Sequence, residues 1–221
     1  MKRREFGQYC GLARALELVG ERWTLLIVRE LLARPCRYTD LIENLPGIPS
    51  NVLSTRLKEL EAAQIVERQI APAPQRGVVY AITEDGRGLE PAVLSLARWG
   101  NQRLGERDGE MVPASTLVLS LRAMFNRDQA SAVTASWEIH AAGTVLYAAV
   151  ADGALTAGVG AAPSTPDVVM KISVDEDEVP TFRDIITALK DDVAKVTGPR
   201  DLVGTFLQVF APPQIRPEQL P

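Results

Sequence analysis

The stretch SNVLSTRLKELEAA, residues 50–63, decides the fold of the half of the chain around it. Leu53, Leu57 and Leu60 recur at i, i+4 and i+7 and define one apolar helical stripe, with Ser50 placed as its N-cap. At about 100° per residue the opposite face carries Asn51, Ser54, Thr55 and Lys58. Short amide and hydroxyl groups can reach base edges, and a helix N-terminus favours phosphate. A solvated helix with a serine cap would look the same in isolation, so the neighbouring segments carry the decision.

Upstream, Leu12, Ala15, Leu16 and Val19 predict a short amphipathic helix stopped by Gly20. Residues 23–32 (WTLLIVRELL) are apolar almost all round, as a central helix packed on several sides requires. Tyr38, Leu41, Ile42 and Leu45 repeat the helical spacing, and residues 46–49 (PGIP) make a tight turn into the Ser50 helix. Two short helices joined in this way, the second with a polar outer face, form a helix-turn-helix pattern. Trp23 and Tyr38 are expected in its core.

Downstream, residues 65–70 alternate as a strand, 71–77 (APAPQRG) turn, and 78–82 return as a second strand. This is a wing, with Gln75 and Arg76 at its tip and Arg68 on the strand leading to it. Thr83 caps a long helix expected to run to about Gly105, with Leu89, Val93 and Leu96 on its stripe. It is longer than a small winged domain needs, which points to a homodimer contact and, through two half-sites, to double-stranded DNA. Ser50, Asn51, Ser54, Thr55 and Lys58 are the candidate groove residues; Arg68, Gln75 and Arg76 are the candidate flank contacts. Arg56 either covers the core with its stem or touches phosphate. Arg37, just before a helix start, either meets a phosphate or is solvated.

The charge balance divides the chain. Residues 1–107 hold 16 Lys/Arg against 13 Asp/Glu, and residues 108–221 hold 8 against 15, so a net −4 conceals a basic half and an acidic half. The boundary lies in residues 106–113 (ERDGEMVP), and only the first half suits a polyanion. The reading is two domains, 1–107 and 108–221, in an α+β chain. No apolar run reaches the roughly 20 residues of a membrane span, and the basic N-terminus leads into no signal core, so a cytoplasmic protein without a membrane partner is expected. Two cysteines, Cys10 and Cys36, and one histidine, His140, are too few for a disulfide framework or a structural zinc site.

In the second half, residues 115–125 predict a helix, after which the period changes to two. Val133, Ala135, Trp137 and Ile139 alternate with Thr134, Ser136, Glu138 and His140. Further strands are expected at 144–150, 154–158, 167–174 and 193–196, with Asp152 and Gly153 as a hairpin turn. Helices are expected around Phe182, Ile185, Ile186 and Leu189, and over 199–210. The last is apolar on more than one side. Either it completes a packed core, or a helix layer over the sheet encloses an apolar cavity for a hydrophobic small molecule. Trp137, Ile139, Met170, Ile172, Phe182, Ile186, Phe206 and Phe210 are the candidate lining. No cofactor, metal site or catalytic set is read: Gly158 and Gly160 form a lone G-x-G, and the acidic run 175–178 reads as a solvated loop.

Two resemblances follow from these residues. Cys10, Arg14, Ala15 and Leu16; Gly20 and residues 22–27; Arg37, Tyr38, Asp40 and Leu41; residues 45–48; and Asn51, Leu53, Arg56, Leu57, Leu60 and Glu61 resemble HxlR-type winged-helix regulators. So do residues 66–68 and Tyr80, Ile82, Thr83, Gly86 and Leu89. The resemblance spans about residues 8–102 and implies a dimeric bacterial transcription factor with the Ser50 helix as its recognition helix. Some members sense electrophiles or oxidants at a cysteine equivalent to Cys10, a role that needs an accessible thiolate near positive charge, here Arg14 and residues 2–4. In the family that cysteine usually precedes proline, whereas here Gly11 follows. Residues 114–211, through Trp137 to Ile139, Asp152, Gly153, residues 166–168 and 196–199, Leu202 and Phe206, resemble the sterol-carrier-protein (SCP2-like) fold. That implies a lipid- or hydrophobe-binding tunnel and no defined catalytic residues. A lipid carrier with a vestigial winged helix, or an interaction scaffold, is the alternative.

Overall fold

Apolar stripes become helices wherever they find something to pack on, and the N-terminal half places five around the Ser50 stretch. The computed structural model describes residues 5–71, 76–173 and 179–210 and divides into two units, Met1–Trp99 and Gly100–Pro221. The first begins with α1 (Gly11–Val19), closed by the Gly20 N–H donating to the Leu16 carbonyl at 2.8 Å. Helix α2 (Thr24–Ala33) is entered through Trp23, a non-glycine residue at φ 79°. As expected of a central helix, Ile27, Val28, Leu31 and Leu32 are buried. Trp23 itself is only half-buried, with the Arg22 guanidinium 5.3 Å above its ring, so the expectation of a core tryptophan is corrected.

Helix α3 (Tyr38–Asn44) and the turn after it bury Leu41, Leu45 and Ile48, with Gly47 taking the left-handed conformation at φ 81°. Helix α4 (Ser50–Ala62) follows, and its stripe Leu53, Leu57 and Leu60 is completely buried. Pro49 occupies the N-cap position and Ser50 is the first helical residue, so Ser50 is not the expected side-chain cap. Strands β1 (Val66–Ile70) and β2 (Val78–Ile82) pair antiparallel, and Cys36 adds a bridge to Tyr80 through two backbone hydrogen bonds of 3.0 and 2.8 Å.

The long helix expected over 84–105 is broken into α5 (Glu84–Arg87) and α6 (Glu90–Asn101). A continuous helix would need a Pro91 N–H for the Arg87 carbonyl, and proline has none; restarting at Glu90 puts Pro91 in a first turn, where no N–H is required. Gly86 is needed for close approach, since a Cβ there would lie 2.2 Å from the Ile65 carbonyl oxygen.

The second unit sets helices against one face of a mixed sheet. After α7 (Ala114–Met124) and the short α8 (Arg127–Ala130) come β3 (Ala135–Ala141), β4 (Thr144–Ala151), β5 (Ala154–Val159) and β6 (Val168–Ile172). Helix α9 (Phe182–Lys190), β7 (Lys195–Thr197) and α10 (Asp201–Val209) complete it. The order is β5-β4-β3-β6-β7, antiparallel except for β3 with β6. Both hairpin turns, Ala142 and Gly143, then Asp152 and Gly153, use two consecutive positive-φ residues, the geometry that matches strand twist. Strand β3 alternates buried and half-buried as its period-two sequence requires. Strand β7 falls two residues later than expected at its start and leaves Val193 exposed. Leu117 and Leu121 of α7, Ile185 and Leu189 of α9, and Phe206 and Val209 of α10 are buried; α7 packs on β4 and β5, and Phe206 meets Trp137 of β3. The chain is therefore α+β, with a helix-turn-helix unit followed by a β-rich one.

Candidate nucleic-acid interface

Burying Leu53, Leu57 and Leu60 forces the other side of α4 outward. Asn51, Thr55 and Lys58 are exposed, and at 100° per residue they fall within a narrow strip along the helix. Ser50 is exposed at the start of the helix, which begins without any side-chain cap. The first amide groups of such a terminus have no acceptor within the helix, and their dipoles suit an anion. The Thr55 hydroxyl donates to the Asn51 carbonyl at 2.8 Å, which holds the side chain in one rotamer while leaving its oxygen able to accept.

Ser54 is set apart from this strip. It is half-buried, and its hydroxyl lies 3.1 Å from the Tyr38 hydroxyl, which also donates to the Ser50 carbonyl at 2.8 Å. Tyr38, expected in the core, is half-buried instead and ties the start of α3 to the first turns of α4. The hydroxyl was the available signal, since a buried phenol oxygen would need a partner.

The arginines divide sharply. Arg56 is turned inward: its side chain is 14% exposed, it pairs with Glu59, and it reaches Glu21 in the turn before α2 at 3.3 Å. Its buried Nε has no hydrogen-bond partner. Arg56 is thus engaged by protein carboxylates in this structure. Arg68 is exposed but held by Glu61 through two hydrogen bonds of 2.6 and 2.9 Å, with the Tyr80 ring 5.8 Å away. The Glu61 hydrogen bonds and charge raise its pKa further. Arg37 caps α3, its backbone N–H donating to Asp40 at 2.9 Å, and its Nη2 donates to the Arg76 carbonyl at 3.2 Å, so it joins α3 to the loop of the wing. Arg76 is exposed there, and Gln75 lies outside the described residues. Beneath the interface, the buried Glu30 accepts from Arg29 at 2.6 Å and from Asn44 at 3.1 Å, which locks α2 to α3.

The HxlR-like helix-turn-helix model matches residues 18–108. The HTH-type transcriptional regulator YodB of Bacillus subtilis is 39% identical over 88 residues, 40% of this chain and 79% of YodB. The chain belongs to the HxlR-like helix-turn-helix family. An uncharacterised HTH-type regulator of Mycobacterium tuberculosis is 42% identical over 98 residues, covering 44% of this chain and 61% of that protein. Among solved structures, the redox regulator HypR in its oxidised form is 31% identical, covering 45% of this chain and 99% of that one with a TM-score of 0.40.

Two thiols of this HxlR-like chain differ in kind. Cys10 is exposed at the N-cap of α1. The Arg14 backbone N–H donates to its carbonyl at 2.9 Å, but the Arg14 guanidinium turns to Glu17 at 3.1 Å, and residues 2–4 lie outside the described residues. Cys36 is buried, and desolvation pushes its thiol up to about 12.

In the C-terminal unit, seven of the eight candidate lining residues are buried and Phe182 is half-buried. Trp137 meets Phe206 edge-on with centroids 5.6 Å apart, and Phe206 meets Phe210 at 4.6 Å. The Trp137 indole N–H donates to the Leu202 carbonyl at 2.9 Å. These rings pack on one another between the sheet and α10. His140 lies 2.7 Å from Glu138, which also accepts the Ala162 N–H at 2.9 Å; that backbone bond, then the His140 bond, holds the Glu138 carboxyl below its usual range. Among the described residues no cluster of three or more His, Cys, Asp or Glu could hold a metal ion, and no helix is long and apolar enough to cross a membrane. The acidic run 175–178 lies outside the described residues.

Proposed function

We propose that the chain is a bacterial transcriptional regulator that binds double-stranded DNA as a homodimer in the cytoplasm. The observation that carries this is the strip Asn51, Thr55 and Lys58, exposed behind an uncapped helix start, while the stripe on the other side of α4 is buried. Asn51 and Thr55 read base edges, Lys58 and the first amides of α4 meet phosphate, and Arg76 supports at the flank. Ser54, Arg56, Arg37 and Arg68 act on this surface from their protein partners, by orienting it.

Dimerisation is supported by large apolar side chains exposed at helical spacing. Leu12 and Leu16 on α1 are 69% and 44% exposed, and Leu96 and Trp99 on α6 are 53% and 59% exposed. A second copy of the same face covers them and sets two recognition helices on a pseudo-palindrome, with half-sites about 34–36 Å apart. The C-terminal unit, SCP2-like in this reading, receives a hydrophobic small molecule that biases the dimer. Cys10, exposed next to the α1 face, is the thiol through which oxidants loosen DNA binding.

The test is selection of binding sites from a random duplex pool with the full-length chain, followed by sedimentation of the complex. A two-fold symmetric site bound by two copies is expected. Retention of no duplex above background at low salt would sink the reading.

A further inference from the structure

The C-terminal unit has an open cavity away from its packed rings. It measures about 220 Å3 and lies between the end of α9, β7 and the first turns of α10. Leu189, Ala194, Val196 and Val203 give it an apolar floor. At its edge Arg200 and Asp192 pair at 3.1 Å, with both side chains largely exposed. None of the candidate lining residues read from the sequence borders it.

Gly204 borders this cavity. It stands inside α10, where glycine is less favourable than alanine, and a Cβ built there would meet nothing within 4 Å. No close neighbour requires a glycine at this position. A larger side chain would occupy the cavity that Gly204 borders.

We propose that this cavity binds a small amphipathic carboxylate, an apolar ring or short branched chain ending in one carboxyl group. The volume is below the roughly 300–1,000 Å3 of pockets for drug-sized ligands, which selects a single ring over a lipid or sterol. The floor takes the apolar part. Arg200 exchanges Asp192 for the ligand carboxylate, and its planar fork suits that group. The exchange costs little, because an exposed ion pair contributes little to stability. The proposal rests on reading the C-terminal unit as the signal-receiving part, and it names the site and the ligand class.

The experiment titrates the full-length protein with benzoate, and separately with methyl benzoate, following the Trp137 indole resonance. That indole is bonded to Leu202, the neighbour of Val203, so it reports on the cavity. Benzoate is expected to move it saturably, and Arg200→Gln to weaken benzoate at least tenfold while leaving the ester unchanged. Gly204→Leu should abolish both without lowering the melting temperature; if that variant fails to fold, Arg200→Gln carries the test. No shift at millimolar benzoate, or equal binding by wild type and Arg200→Gln, overturns the site. Operator affinity is measured in parallel. Benzoate that binds without changing it leaves the site standing and removes the signal-receiving role.

Discussion

The two units dispose of their large apolar side chains in opposite ways. In the first, Phe6, Tyr9, Leu12, Leu16, Leu26, Ile70, Val78, Leu96 and Trp99 are exposed; among the described residues of the second, only Leu104, Met111 and Val193 are. The second unit packs Trp137, Phe206 and Phe210 on one another and completes its own core. The proposed homodimer would cover part of this exposed apolar surface, on α1 and α6. The proposed dimerisation draws on that difference, and the following measurements try it.

The largest effect is expected inside the second unit. Phe206→Ala should cost about 3–5 kcal/mol, read as a lowered denaturation midpoint of the C-terminal transition. A cost near zero would mean that the ring cluster is loosely filled. Next comes the association face: Leu96→Asp with Trp99→Asp should yield monomers by sedimentation and reduce operator affinity about a hundredfold, since one half-site then binds without the other. Monomers that keep full affinity would detach α6 from dimerisation.

Within the recognition surface, Asn51→Ala or Thr55→Ala should change base preference by about 1–3 kcal/mol per lost contact. Arg76→Ala should weaken all sequences alike and reduce the salt slope by about 1. Arg56→Gln should instead lower stability and leave that slope in place, because its guanidinium is engaged by Glu21 and Glu59. A slope lost with Arg56 and kept with Arg76 would reverse the two assignments.

The smallest effects concern the thiols. At pH 8 iodoacetamide should label Cys10 and spare Cys36 in the folded protein, and peroxide should weaken operator binding in the wild type but not in Cys10→Ser. Cys36 rises from 9.0 in the ordinary thiol to about 12 in the fold, so the folded chain keeps a proton that the unfolded chain releases. Its contribution to stability is therefore complete below pH 9 and declines as the pH rises from there towards 12. A Cys36→Ala variant with an unchanged alkaline limb of the stability profile would refute this.

Much of the first unit was legible because helical periodicity is local. The spacing of Leu53, Leu57 and Leu60 names a buried stripe, and the stripe names its opposite face, before any tertiary contact is known. The same holds for β3, whose alternation already assigned Trp137 and Ile139 to one side and Glu138 and His140 to the other. The division of the 84–105 helix was partly legible too, in Pro91, but the 3.6-residue stripe running past it concealed the break.

Periodicity and composition alone give the helix-turn-helix and wing order, most of the outward face of α4 and the charge division of the chain, but neither the split of the 84–105 helix nor the short α8. Only the tertiary structure decided which polar groups are already engaged. Glu21 and Glu61 hold Arg56 and Arg68 from 35 and 7 residues away, and Tyr38 takes up Ser54 from 16. It also decided which large rings of the second unit meet: Trp137, Phe206 and Phe210. The reason is physical: a stripe depends on the chain's own repeat, whereas a hydrogen bond or a filled volume depends on which distant groups arrive at the same place.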